Sequence, residues 1–178
     1  MNWRIPLAAS ALAWLAALPG ASAETTLPLT PAARRTIRHL AIQHNGRHKP
    51  FDSFARETLA HITGSRRFEG REPADAALDI LANPERWQGR PLLAVPFRPL
   101  REAIGLDPKT ARVSYDELIA TRRLMRLLPA IVAKQQRNEK LTMLEQETMD
   151  AFDRFVTFSR LLENRLELVP PPPGSPPS

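Results

Sequence analysis

The chain has 178 residues, a formal net charge of +6 and no cysteine. That length suffices for one modest domain with its own core, and the missing thiols exclude disulfides, thiolate metal sites and thioether-attached cofactors. Only Lys49, Lys109, Lys134 and Lys140 are lysines, so the basic surface is arginine-rich and suited to pairing with carboxylates or phosphates.

The first element is an export signal. Arg4 supplies a positive start, Ile5 to Leu18 an apolar run, Pro19 and Gly20 a break, and Ala21-Ser22-Ala23 small residues at the cleavage subsites. The apolar run is shorter than the ~20 residues of a membrane-spanning helix. Cleavage before Glu24 is expected, which places the mature chain in the periplasm. It removes one arginine and leaves 24 basic against 19 acidic residues, a net of +5. Export argues against nucleic acid as a partner; anionic lipid headgroups or an acidic protein surface suit the charge better, and arginines on solvated faces are the alternative.

Thr30-Pro31 reads as an N-cap followed by proline at the first helical position, which predicts a short helix over 32–38. Leu40 to Gln43 reads as a brief strand, and Asn45-Gly46 as a tight turn into Arg47 to Lys49. Pro50 delays the next helix, Asp52 sits where a cap belongs, and 53–62 carries Phe54, Leu59 and Ile62 before a left-handed stop at Gly64. Glu72-Pro73 opens a further helix with Ala77, Leu78 and Leu81 on one side, ended by Asn83-Pro84.

Trp87 is the one tryptophan after the signal. Pro91 to Val95 suits an edge strand or extended segment, and Pro99 to Ile104 a helical piece ending at Gly105. Ser114-Tyr115-Asp116-Glu117 is a capping box. From there the helical pattern runs to Pro129, which should interrupt it. It resumes at Ile131 and continues to Leu168 without glycine or proline, with Leu141, Leu144, Thr148, Phe152, Phe155, Ser159, Leu162 and Leu166 in one stripe. A straight helix of that length would reach roughly 57 Å, so a fold-back near Asn138 stands beside the straight rod as an open alternative. Pro170 to Ser178 reads as a proline-rich tail.

These elements predict a mainly α chain: a compact helical domain with one short β-hairpin or extended element and a long C-terminal helix. The expected divisions are signal (1–23), compact domain (24–128), long amphipathic helix (129–169) and tail (170–178).

No serine nucleophile motif or phosphate-binding glycine loop is present, and a non-catalytic role is expected. His39, His44, His48 and His61 fall within 23 residues, which raises non-covalent haem or a metal ion. Their spacing does not form ligand pairs on one helix face. Arg47, Lys49, Arg56, Arg66 and Arg67 cluster with Asp52 and Glu57 interleaved, and Asp52 precedes Arg56 in the favourable i, i+4 order. Two readings of this cluster stand open: an internal ion-pair network that fixes the hairpin to the helix, or a docking surface.

Gln43 to Arg56, as Q-x-x-G-R-x-K-P-x-D-S-x-A-R, resembles the periplasmic segment of fused cytochrome c synthases of the CcsA/ResB type, the system II route of c-type cytochrome biogenesis. Asn83-Pro84-Glu85-Arg86-Trp87, Arg101-Glu102-Ala103-Ile104-Gly105-Leu106, the box from Val113 to Leu118, and a long helix before a proline run resemble it as well. The family's tryptophan-rich, haem-handling membrane motif has no counterpart in the 178 residues. The resemblance therefore implies an accessory domain that partners a separately encoded, membrane-embedded synthase, not haem transfer itself. The partner-binding residues it implies are Gln43, Gly46, Arg47, Lys49, Pro50, Asp52 and Arg56. A rival expectation is a periplasmic scaffold or envelope-binding protein that recruits partners or forms a homodimer through the long helix.

Overall fold

The computed structural model describes residues 30–164, apart from 45, 67 and 69, together with the backbone of 167 and 168. The expected signal and tail, along with Arg67 and Leu166, lie outside the described residues. The fold is mainly α, as the sequence predicts.

Helix α1 (Pro31–His39) opens where expected, with the Thr30 hydroxyl accepting from the Ala33 N–H at 3.2 Å. Strands β1 (Ala41–His44) and β2 (Arg47–Pro50) form the predicted hairpin, and α2 (Phe51–Thr63) follows directly. A third strand, β5 (Glu167–Leu168), pairs antiparallel with β1, so the sheet order is β2-β1-β5. Helices α3 (Pro73–Ala82) and α4 (Pro84–Gln88) meet at Asn83. Pro84 thus ends one helix by starting another, because a proline at the first helical position sacrifices no hydrogen bond; α4 is absent from the sequence reading.

Strand β3 (Leu93–Ala94) pairs with β4 (Arg112–Val113), and α5 (Arg98–Ile104) lies between them. Leu92 to Val95 is buried, deeper than an edge segment was expected to be. Arg101 on α5 is itself only 6 % exposed. It donates to the carbonyls of Val95 at 2.5 Å, Pro96 at 2.8 Å and Pro108 at 2.7 Å, tying both flanks of the β3–β4 excursion to one side chain.

The C-terminal part departs from expectation. Helix α6 (Tyr115–Thr121) has its capping box, but it stops well before Pro129, at Arg122 in the left-handed region with φ 51°. Helix α7 (Arg123–Gln136) then carries Pro129 in its interior. Pro129 is exposed while Leu124 and Ile131 are buried, so the hydrogen bond it forfeits falls on the solvent side. The boundary expected at 128/129 lies within this helix.

Nor is 129–169 one helix. Asn138 takes φ 55°, Thr142 and Glu145 form a second capping box, and α8 (Met143–Leu162) returns against α7. The fold-back alternative is the one observed. Asparagine tolerates the left-handed turn, and the box satisfies the amides of the new helix start.

Helix α8 is the axis of the core. It packs against α2, α3, α4, α5, α7 and β3. Its deepest residues are Thr148, Ala151, Phe158, Leu161 and Leu162, a face rotated from the predicted stripe, of which Leu141, Leu144, Phe152, Phe155 and Ser159 are half-buried. Thr148 escapes an orphaned hydroxyl by donating to the Leu144 carbonyl at 2.7 Å. On α3, likewise, Ala74, Ala77 and Ile80 are buried while Leu78 and Leu81 are half-buried. Among the described residues no helix is long and apolar enough to cross a membrane.

Candidate functional site

The hairpin owes its shape to a two-residue turn. Gly46 adopts φ 72°, open to glycine at little cost, and His44 stands opposite Arg47, Gln43 opposite His48, Ile42 opposite Lys49 and Ala41 opposite Pro50. Side chains alternate across the sheet, so these pairs divide the hairpin into two faces with different partners.

The inner face rests on α2. Ile42 is fully buried, the His44 ring meets the Phe54 ring edge-on at 5.1 Å, and the Lys49 ammonium donates to the Glu57 carboxylate at 2.5 Å. Burial lowers the His44 pKa from its ordinary 6.5, Lys49 and Arg160 lower it further, and Glu57 opposes them. On α2, Arg56 donates to Asp52 at 2.5 Å, one helical turn away. Asp52 does not cap that helix, contrary to the sequence reading. Pro50 occupies the cap position without a side-chain hydrogen bond, because β2 runs straight into α2 and leaves Asp52 inside the first turn. There its charge complements both Arg56 and the helix dipole.

The outer face is different. Ala41, Gln43, His48 and Pro50 are all exposed, and so is Arg47 beside the turn. Arg47 has no ion pair among the described residues.

The seven predicted partner-binding residues therefore separate. Gln43 and Pro50 lie on the outer face and Gly46 in the turn; Arg47 shares a face with His44 and Lys49 but is exposed at the turn end, while Lys49, Asp52 and Arg56 are engaged in ion pairs that clasp hairpin to helix or hold the helix start. Both open readings of the basic cluster find residues here: Lys49 and Arg56 are ion-paired, and Arg47 is exposed with no ion pair among the described residues. His48, exposed on the outer face, is the direct cross-strand neighbour of Gln43, a placement that counting register back from the Asn-Gly turn gives. Arg66 is exposed, on the loop after α2.

The four clustered histidines do not converge. His39 ends α1, His44 and His48 lie on opposite faces of the hairpin, and His61 contacts Asp153 at 2.9 Å between α2 and α8. Among the described residues, no group of three His, Cys, Asp or Glu side chains could hold a metal ion. Elsewhere a shallow cleft is lined by Gly89, Pro91, Asp107, Arg112 and Glu117. Its acids are engaged locally: Asp107 accepts from Lys109 N–H and the Thr110 hydroxyl, and Glu117 closes the Ser114 capping box.

No family model matches the chain. It is 39% identical over 64 residues to Protein NrfI of Wolinella succinogenes. The matched stretch is 36% of this chain and only 7% of that relative's length.

Proposed function

We infer that the chain serves c-type cytochrome biogenesis as an exported, non-catalytic accessory domain, and that it docks through its hairpin on a membrane-embedded synthase of the CcsA/ResB type. The observation that carries this reading is the similarity to NrfI, which supports a role in cytochrome c biogenesis at a coarse level. The motif from Gln43 to Arg56 adds to it.

The docking element follows from the division of the hairpin. A side chain already held in an internal ion pair must give up that pair to meet a partner, whereas Gln43 and Arg47 are exposed and uncommitted. An exposed, unpaired arginine beside a rigid turn presents a planar, five-donor cation in a defined place. The partner surface that suits it carries carboxylates.

The test joins a gene deletion with the double variant Gln43→Ala/Arg47→Ala, followed by haem staining of periplasmic and membrane c-type cytochromes. Both should lower the staining, with the double variant retaining wild-type thermal stability. Wild-type cytochrome levels in both strains would remove the reading.

A further inference from the structure

Strand β2 is the outer strand of its sheet. In an antiparallel pair, opposed residues alternate between those that exchange main-chain hydrogen bonds and those that do not, and the residues flanking a two-residue turn exchange them. His44 and Arg47 therefore bond to each other, as do Ile42 and Lys49. The same phase continues to Leu40 and Phe51, where the Phe51 N–H donates to the Leu40 carbonyl at 2.9 Å.

Gln43 with His48, and Ala41 with Pro50, fall between these pairs. Their peptide groups point away from the hairpin. On the β1 side, Gln43 is met by Glu167 of β5. On the β2 side, no strand among the described residues is paired with the edge. The N–H and carbonyl of His48 line it, between the exposed side chains of Arg47 and Pro50, while the Pro50 carbonyl belongs to the start of α2.

We propose that this edge receives an extended, acidic segment of a partner protein as an added strand, with His48 exchanging both main-chain hydrogen bonds with it. The inference rests on the hairpin being the docking element and supplies its mode of recognition. Charge selects the occupant. Arg47, next to His48, is exposed and has no ion pair among the described residues, whereas Lys49, two residues on, is already held by Glu57. A second copy of the chain fits poorly: an antiparallel β2–β2 pairing centred on His48 would set Arg47 of each copy opposite Lys49 of the other, like charges directly across. Pro50 has no donor and its carbonyl opens the α2 hydrogen-bond ladder, so it limits the added strand to the stretch around His48 and sets its register.

The experiment measures amide hydrogen exchange at His48 by NMR on the full chain. The probes are two capped synthetic peptides, one alternating glutamate with valine and one alternating lysine with valine. The His48 amide should exchange freely in the unliganded protein and slow by about tenfold or more with the glutamate peptide, and not with the lysine peptide. His48→Ala, which keeps the main-chain N–H, should bind within about twofold of wild type. His48→Pro should lose binding while the bonded pairs on either side persist. Protection of the His48 amide without peptide, equal binding of both peptides, equal loss in the alanine and proline variants, or a dimer in sedimentation would each overturn strand addition. If the peptides fail while the Gln43→Ala/Arg47→Ala strain still lacks cytochromes, strand addition falls and the docking reading survives.

Discussion

Arg101→Met gives a sharp test of how the middle of the chain is held. The guanidinium is nearly buried, forms no ion pair among the described residues, and donates to three carbonyls from two segments that are also joined by the short β3–β4 ladder and by the Val95 N–H to Ala111 carbonyl hydrogen bond. Methionine fills the space of the aliphatic stem and removes every donor. The Val95 carbonyl is bonded at a buried position, and orphaning it costs about 2 kcal/mol. The Pro96 and Pro108 bonds are half-buried, so water recovers part of each and together they add about 1–2 kcal/mol. Relief from burying a cation offsets some of this, for a net loss of about 3 kcal/mol. With a urea m-value of about 2 kcal/mol/M, the denaturation midpoint followed by far-ultraviolet circular dichroism should fall about 1.5 M. Arg101→Lys, which can reach one segment but not both, should lose about half as much. A midpoint for Arg101→Met within about 0.5 M of wild type would refute the view that this side chain staples the two segments.

Phe158 is fully buried on the central helix, so Phe158→Ala should cost about 3–5 kcal/mol and lower the midpoint more than any single change on the hairpin's outer face. Glu145 is depressed from its ordinary 4.5 to about 2, chiefly by the Lys134 hydrogen bond and then by the Thr142 N–H. A carboxylate lowered in the fold stabilises it above its unfolded pKa, and that contribution is lost as pH falls from 4.5 through about 2. Acid titration of Glu145→Gln should therefore show a shallower loss of stability over that window. His44 is lowered from 6.5, mainly by burial, so the unfolded chain takes up its proton first and stability declines as pH falls through 6.5. His44→Phe should flatten the urea midpoint between about pH 7.5 and 5.5, and an unchanged slope would count against burial of the neutral ring.

What the sequence makes legible is local chemistry. Thr30-Pro31, Gly46, Gly64 and the Ser114 box each act within a few residues, and each stands where expected. The break at Arg122 carries neither glycine nor proline and cannot be read that way. The Thr142 box was legible in kind, since Thr142-Met143-Leu144-Glu145 is the same motif as Ser114 to Glu117, but a continuous apolar periodicity masked it. Pro129 misleads in the opposite sense, because its effect depends on which side of the helix meets solvent. For the candidate site, the sequence locates the hairpin and its turn. It does not separate the ion-paired Lys49 and Arg56 from Arg47, as Lys49 finds Glu57 only once β2 is laid on α2.

The order of the chain gives the central position of α8 one more meaning. Any process that delivers the polypeptide from its amino end, synthesis or threading through a pore, releases α2, α3, α4, α5 and α7 before the helix they enclose. Until residues 143–162 arrive, the apolar sides of those earlier helices have no common centre, and the nascent intermediate must either be shielded or stay loose. Closure is consequently a late, concerted event triggered by one segment, and a stop codon placed just ahead of Met143 should yield sticky, protease-sensitive material, not a smaller version of the same fold.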